Sequence, residues 1–256
     1  MIHKTAIIEP GVECGEGVEI GAYSVIGSHV TIGAHTKIGS HVIIKGPTHI
    51  GERCTIFPFA SLGDSPQDLK YKGEATKLII GDNNVIREYV TIHRGTEEGK
   101  GETIIGNNNF FMAYSHIAHD CTINNFVIMA NSATLAGHIT IEDYAVIGGL
   151  VAIHQFVKVG RNAFIGGCSA IPQDVPPYCL AVGNRARLYG LNLTGLKRHN
   201  FSSQTLRNLK DAYRIIFRSG LTLKEALQHV EQKITNSPEV NHFIEFIKKS
   251  KRGIIR

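Results

Sequence analysis

The stretch IGAYSVIGSHVTIGAHTKIGSHVII, from Ile20 to Ile44, repeats itself every six residues. Ile20, Ile26, Ile32, Ile38 and Ile44 mark the period. The residue four places after each is small or β-branched (Ser24, Val30, Thr36, Val42, Thr48), and the residue directly after is often glycine (Gly21, Gly27, Gly33, Gly39). Outward from this stretch the phase runs back through Cys14 and Ile8 to Ile2 and forward to Leu62. It returns at Ile80, Ile86 and Ile92, and again from Ile105 to Ile171. Six residues match a helix poorly but suit a short strand followed by a sharp corner, with the marked residue and the one four later pointing the same way. A short fixed period of this kind specifies a solenoid whose core is a stack of repeats.

Three hexads close one triangular coil, so residues 18 apart stack one strand spacing, about 4.8 Å, from each other. The period predicts about eight to nine coils over residues 2–176. It breaks twice, at residues 68–79 and 98–104, and insertions in a solenoid form loops on one face, often the binding face. We expect glycine to relax the backbone at the corners, with asparagine tolerating the left-handed region there. This grammar resembles the hexapeptide-repeat proteins. The resemblance, not the period, implies a left-handed parallel β-helix, since most parallel crossovers are right-handed.

Pro172, Pro176 and Pro177 end the coils, and a helical pattern follows. Leu206, Leu209, Tyr213, Ile216 and Phe217 predict a helix ending at Gly220. Thr222 and Glu225 read as a capping box for a second helix, and Ser237-Pro238 opens a third. The expected division is therefore 1–189, the β-helix, and 190–256, a small helical domain that can cover the last coil's open strand edge. Charge follows the same division. Residues 1–177 carry 12 Lys+Arg against 17 Asp+Glu, and residues 178–256 carry 15 against 5. A basic end on an acidic solenoid suits an acidic partner. With no binding motif and little aromatic interleaving, nucleic acid is not expected. No apolar run is long enough for a transmembrane segment and no signal region precedes Ile2, so a cytoplasmic protein is expected. The five cysteines, odd in number and without CxxC spacing, read as small core residues of a reducing compartment, Cys14 among them in an inward slot.

The hexad phase also sorts the 13 histidines. His29, His35 and His41 fall on solvent-facing corners. His93, His116, His119, His138 and His154 lie near the two insertions. Counting by 18 puts His119 beneath Gly137 and then Gln155, Asp120 beneath His138, and Ala118 beneath Ala136 and then His154. Two imidazoles, a carboxylate, an amide and a glycine N–H on one strip make a general-base site with an oxyanion donor. Three other readings compete: a Zn²⁺ site of His116 and His119 with His93 or His138, as in the hexapeptide-repeat carbonic anhydrases; a catalytic Cys121 thiol; and a non-enzymatic scaffold, which has no need of the cluster.

The segments His116-Ile-Ala-His119-Asp120-Cys121, Gln67-Asp68-Leu69-Lys70-Tyr71, Thr91-Ile92-His93-Arg94-Gly95-Thr96, Ile153-His154-Gln155-Phe156, Gln173-Asp174-Val175-Pro176-Pro177-Tyr178 and Gly195-Leu196-Lys197-Arg198 resemble those of the UDP-N-acetylglucosamine O-acyltransferases, over the whole chain. The resemblance implies transfer of an (R)-3-hydroxyacyl group from acyl carrier protein to the 3-hydroxyl of UDP-N-acetylglucosamine, the first step of lipid A synthesis. It implies His119 as general base, Asp120 as its orienting carboxylate and Gly137 as oxyanion donor. His116, His138 and Lys70 are then polar positions around substrate, with Asp68, His93, His154, Gln155, Asn192 and Arg198 as further substrate contacts, Arg198 beside the diphosphate. Gly167 falls where a larger side chain shortens the acyl groove, which implies room for a long chain. The resemblance further implies a homotrimer with sites between subunits, and no metal or other cofactor. The pathway's N-acyltransferase carries a uridine-binding domain before its coils, whereas here the coils begin at Ile2.

Overall fold

The computed structural model describes all 256 residues. The hexads form two- to four-residue strands that stack in parallel into three faces. The first face runs from Ile7–Ile8 to Ala170–Ile171, the second from Glu13–Cys14 to Lys158–Val159, and the third from Glu19–Ile20 to Cys179–Val182. Successive coils pair with an 18-residue offset, as in Ile7 with Val25 and His116 with Thr134. The offset rises to 30 between Ile50 and Ile80 and to 25 between Ile80 and Ile105, where the insertions fall. Each insertion lies between a first-face and a second-face strand, so both loops hang from the same edge.

The repeat's Ile residues point inward and stack; Ile26, Ile44, Ile50, Ile86, Ile92 and Ile117 are fully buried. Each such burial contributes about 1.5–3 kcal/mol relative to exposure. Cys54, Cys121 and Cys179 share this interior. Two cysteines depart from expectation. Cys14 is exposed because its inward slot belongs to the uncovered first turns, and Cys168 is exposed at a corner.

At the corners the asparagine expectation holds, with Asn83 and Asn108 at φ 56° and 58°, but the glycine one does not. The left-handed residue is the third after the inward Ile, and it is seldom glycine: Tyr23, His29, His35, His41 and Phe59 have φ between 58° and 65°. Stacking offsets the cost of that conformation, about 1 kcal/mol per residue. Tyr23, His41, Phe59, Tyr89 and Tyr114 form a continuous ladder on the edge between the third and first faces, with centroids 4.8–5.2 Å apart. Glycine directly after the Ile answers a different need. A Cβ on Gly21 would lie 2.6 Å from the carbonyl carbon of Gly39, and one on Gly33 2.5 Å from that of Gly51, so these glycines permit close coil-to-coil approach.

The third face continues into an antiparallel strand, Arg187–Leu191, two residues beyond the expected break at 189/190. Four helices follow: α1 (Leu193–Arg198), α2 (Ser203–Arg218), α3 (Leu223–Lys233) and α4 (Pro238–Lys248). The Thr222–Glu225 capping box is present in both directions at α3. The short α1 was not expected; only Leu196 of its six residues is buried, too few to show a period. Leu209, Val230 and Phe243 from α2, α3 and α4 join the same core as the coils. Beyond α4 the chain returns to the solenoid, where Ile254 bridges Asp174.

Candidate active site

The edge between the first and second faces carries the histidine cluster. Strand His116–Ile117 ends at the corner that presents His119 and Asp120, and strand Thr134–Leu135, one coil on, ends at the corner that presents Gly137 and His138. The His119 ring lies directly against Gly137: a Cβ there would fall 2.6 Å from Cε1 and 2.7 Å from Nε2 of His119. His119 Nδ1 is 2.8 Å from Asp120 Oδ2, and Nε2 of His138 lies 3.9 Å from the same oxygen.

Asp120 is fully buried, and Thr96 together with the start of the second insertion holds it. Thr96 donates from its N–H to both carboxylate oxygens at 3.2 Å and from Oγ1 to Oδ2 at 2.7 Å, and the Lys100 N–H donates to Oδ1 at 2.8 Å. Gly99 sits against this carboxylate, where a Cβ would collide with it. Burial alone would raise the carboxyl's pKa, but the hydrogen bonds from His119, Thr96 and Lys100 together outweigh it and hold the group well below the usual carboxylate range. An ionised Asp120 accepts from His119, so Nδ1 carries the proton and Nε2 keeps its lone pair, as a base requires.

Gly137 offers its backbone N–H at the position two after the inward residue. At the edge between the second and third faces the equivalent N–H groups are capped by side chains of the next coil: Glu52 by Asp82, Asp82 by Asn107, Asn107 by Asn125 and Asn125 by Asp143. Gly137 N–H has no acceptor in the protein. A donor left open beside a base is the arrangement an oxyanion needs.

His93 and His116 form a second pair on the first face, edge to face at 4.9 Å. His116 Nδ1 is 2.7 Å from Thr91 Oγ1. Burial, with His93 and His119 nearby, lowers the pKa of His116 to about 4, and burial also lowers those of His93 and His138. The buried Nδ1 of His93 has no protein partner, an open polar atom for a bound molecule to satisfy. Neutral His116 makes a testable contribution to stability. Its folded pKa lies below the unfolded value of about 6.5, so the contribution is complete above that pH and lost as pH falls toward 4. Urea denaturation from pH 7.5 to 4 is expected to show falling stability across this window, with a shallower slope in His116→Gln; equal slopes in the two proteins would contradict it.

The two insertions are tied together by Lys70 Nζ to Glu98 Oε2 at 2.8 Å. Arg94 holds the first loop through the Tyr71 hydroxyl and anchors it to the Gly46 carbonyl. Asp68, Lys100, His138, Phe156, Lys158 and Arg252 border a cleft of about 770 Å³ along this edge. His154 and Gln155 lie on the same edge one coil beyond Gly137, and His154 Nδ1 is 2.8 Å from Arg252 Nη2. Sequence reasoning gave no role to Thr96, which only closes the Thr91–Thr96 segment in a small-residue slot, or to Lys100 and Arg252, which come from non-periodic segments.

Three of the expected residues lie elsewhere within one chain. Gly167 is exposed on the edge between the third and first faces. Asn192 caps α1 with its carbonyl and donates its amide to the Asn162 carbonyl, on the edge between the second and third faces. Arg198 is exposed in the last turn of that helix.

The competing chemistries fare poorly. Burial pushes the Cys121 thiol up to about 12, so it is not a nucleophile at neutral pH. The expected metal set does not assemble: the only His, Cys, Asp or Glu group with ligand atoms close enough is His119, Asp120 and His138, without His93 or His116. In that group both oxygens of Asp120 are already engaged by N–H and O–H donors, a poor ligand for a cation.

The chain matches a protein of Thermodesulfovibrio yellowstonii, an acyl-[acyl-carrier-protein]--UDP-N-acetylglucosamine O-acyltransferase, at 58% identity over 255 residues, covering 100% of this chain and 99% of the relative. It belongs to the UDP-N-acetylglucosamine O-acyltransferase family. A relative of the same description from Halorhodospira halophila is 51% identical over 255 residues, again covering 100% and 99% of the two chains. Family models match too: domain 2 of UDP-N-acetylglucosamine O-acyltransferase over residues 174–255, and the bacterial transferase hexapeptide repeat over 11–46 and 102–137. Among solved structures, LpxA from Acinetobacter baumannii superposes with a TM-score of 0.97 at 46% identity, covering 100% of this chain and 99% of that one. The UDP-N-acetylglucosamine acyltransferase LpxA of Bacteroides fragilis superposes with 0.98 at 45%, covering 100% of both. The β-helix of this O-acyltransferase family member is left-handed.

Proposed function

We infer that this chain transfers an (R)-3-hydroxyacyl group from acyl carrier protein to the 3-hydroxyl of UDP-N-acetylglucosamine, opening lipid A synthesis. The observation that carries this reading is the His119–Asp120 pair set over the open N–H of Gly137, in a chain collinear with O-acyltransferases. His119 Nε2 takes the proton of the sugar hydroxyl as that oxygen attacks the thioester carbonyl carbon. Asp120 stabilises the imidazolium, and the carbonyl oxygen gains negative charge opposite the Gly137 N–H. Collapse of the intermediate breaks the carbon–sulfur bond, and His119 returns the proton to the departing thiolate. The thioester is already activated, so the reaction needs no cofactor. Lys100, Lys158 and Arg252 of the cleft and the orphaned His93 Nδ1 supply polar contacts for the sugar nucleotide, with Asp68, Lys70, His116, His138, His154 and Gln155 around it.

The reading includes a homotrimer. The ladder of Tyr23, His41, Phe59, Tyr89 and Tyr114 leaves an apolar edge in solvent, continued by Leu150, and the faces on either side expose Ile43 and Ile128. Three copies packed with this edge on a threefold axis would cover it. The first face of one subunit then meets the third face of the next. Its outer end, with His119, meets the neighbour's edge between the second and third faces, which supplies Asn192 and Arg198 of the partner subunit. An acyl chain running inward between these faces ends near the axis edge, where Gly167 lies. Sedimentation that finds a fully active monomer would contradict this assembly.

Acyl carrier protein docks on the basic end. Arg185, Arg187 and Arg256 border a cleft of about 790 Å³ there, and Arg218 continues it with Arg187 and Arg256. None of the four is paired with a carboxylate in the protein. Arg187→Glu with Arg218→Glu is expected to raise KM for the acyl carrier roughly tenfold or more at low salt and to weaken its salt dependence. Equal KM values would return these arginines to a merely solvated surface. The same assay with acetyl-CoA in place of the carrier thioester is expected to give no product. The same reading has the enzyme working in the cytoplasm; no helix is long and apolar enough to cross a membrane.

A further inference from the structure

We propose that Arg252, on the C-terminal tail, is a positioning residue that fixes His154 as the tautomer protonated on Nε2, and so makes His154 a hydrogen-bond donor on the edge beside the cleft. The consequence for turnover rests on the reading that His154 contacts the sugar nucleotide; the tautomer does not.

The tail is firmly built onto the last coil. Ser250 Oγ donates to Asp174 Oδ2 at 2.7 Å, Asp174 N–H donates to the Gly253 carbonyl at 2.9 Å, and Ile255 N–H donates to the Asp174 carbonyl at 3.0 Å. Asp174 is itself buried, and its other carboxylate oxygen accepts from the Lys158 N–H at 2.7 Å. Ile255 is buried behind the strap. Arg252 is thereby placed 98 residues along the chain from His154 yet in contact with it. Its Nε donates to the Pro172 carbonyl at 2.8 Å, which fixes the plane of the guanidinium, and its Nη2 lies 2.8 Å from His154 Nδ1.

A guanidinium has only donors and stays charged at any physiological pH. The nitrogen facing it must therefore present a lone pair. In the neutral ring the proton then resides on Nε2, which has no partner in the protein. A second group competes for Nδ1. The Gln155 carbonyl is 3.3 Å away and would accept from Nδ1–H, the opposite tautomer. The Arg252 contact is shorter and charge-assisted, so it prevails. Removing the guanidinium leaves Gln155 as the near partner of Nδ1 and turns the ring over electronically, so that Nε2 becomes an acceptor. Of the groups on a nucleotide sugar, the phosphate and carbonyl oxygens only accept, and it is these that a donor at Nε2 can serve and an acceptor cannot.

Imidazole ¹⁵N spectra of the free, full-length protein test this, with His154 assigned by its loss in His154→Ala. The native protein is expected to show Nε2–H, Arg252→Ala mainly Nδ1–H, and Arg252→Gln, which keeps a donor for the Pro172 carbonyl, both forms. In turnover assays Arg252→Ala is expected to raise KM for UDP-N-acetylglucosamine roughly tenfold with kcat within about twofold. Adding His154→Ala to it should cost little more, because the two residues act as one unit. Arg252→Lys, which still donates to Nδ1, should recover part of the loss. A His154 spectrum unchanged in both Arg252→Ala and Arg252→Gln, or KM effects that multiply, would overturn the proposal. Spectra that change as stated in a protein that does not use UDP-N-acetylglucosamine would sustain the tautomer control and refute the acyltransferase reading instead.

Discussion

His119→Ala is expected to lower kcat by roughly 10²–10⁴-fold while leaving the fold and KM for both substrates nearly intact. The size follows from what is removed. The imidazole is the only base poised over the open Gly137 N–H, and its Nδ1 is committed to a buried, ionised Asp120. His138 stands on the adjacent coil, but its Nε2 is directed toward the same carboxylate at 3.9 Å and burial disfavours its protonation, so it is no ready substitute. The fold should survive because His119 occupies a corner and no part of the stacked Ile core. Turnover within a few-fold of the native rate, in a protein with a native melting temperature, would remove His119 from the mechanism.

Gly137→Ala is expected to cost about 10²-fold or more in kcat, although it adds a single methyl group. That methyl would sit 2.6–2.7 Å from the His119 ring, inside any real carbon contact, so the imidazole must swing off the Asp120 hydrogen bond or the coil must shift. A displacement near 1 Å from the reacting geometry is enough for such a loss. The two residues act through one ring, so His119→Ala combined with Gly137→Ala should be little worse than His119→Ala alone. Losses that multiply would mean that Gly137 acts independently of His119.

The solenoid was legible because its determinant is periodic: one inward residue in six and a small partner four later recur through almost every strand. The parallel β-helix and the C-terminal helices follow from that pattern and from the capping signals beside it, whereas the left hand came only from the family resemblance. The same ruler stacked Gly137 on His119 and His138 on Asp120, since an 18-residue offset is both a sequence count and a spatial neighbour. Where the period fails, so did the reading. Lys100, which helps Thr96 hold Asp120, sits in an insertion with no phase, and Arg252 reaches His154 only because the tail doubles back to Asp174. No local sequence signal announces either contact. Glycine at the corners misled for another reason: sequence shows that a side chain is absent but not whether φ or space demands it, and here Gly21 and Gly33 answer space while tyrosine, histidine and phenylalanine carry the left-handed turns. Gly167, Asn192 and Arg198 lie on other edges than His119 within one chain, and the subunit boundary proposed to bring them to it is something one chain's periodicity does not describe.

The most direct measurement is the mass of the product formed by the native protein from UDP-N-acetylglucosamine and acyl carrier proteins bearing 3-hydroxyacyl chains of several lengths, in buffer exhaustively treated with chelator. The account predicts a nucleotide sugar heavier by one ester-linked hydroxyacyl group, one free carrier thiol per product, an undiminished rate after chelation and the best turnover with a long chain. No acylated sugar, or acylation that disappears with the chelated metal and returns when it is restored, would contradict it.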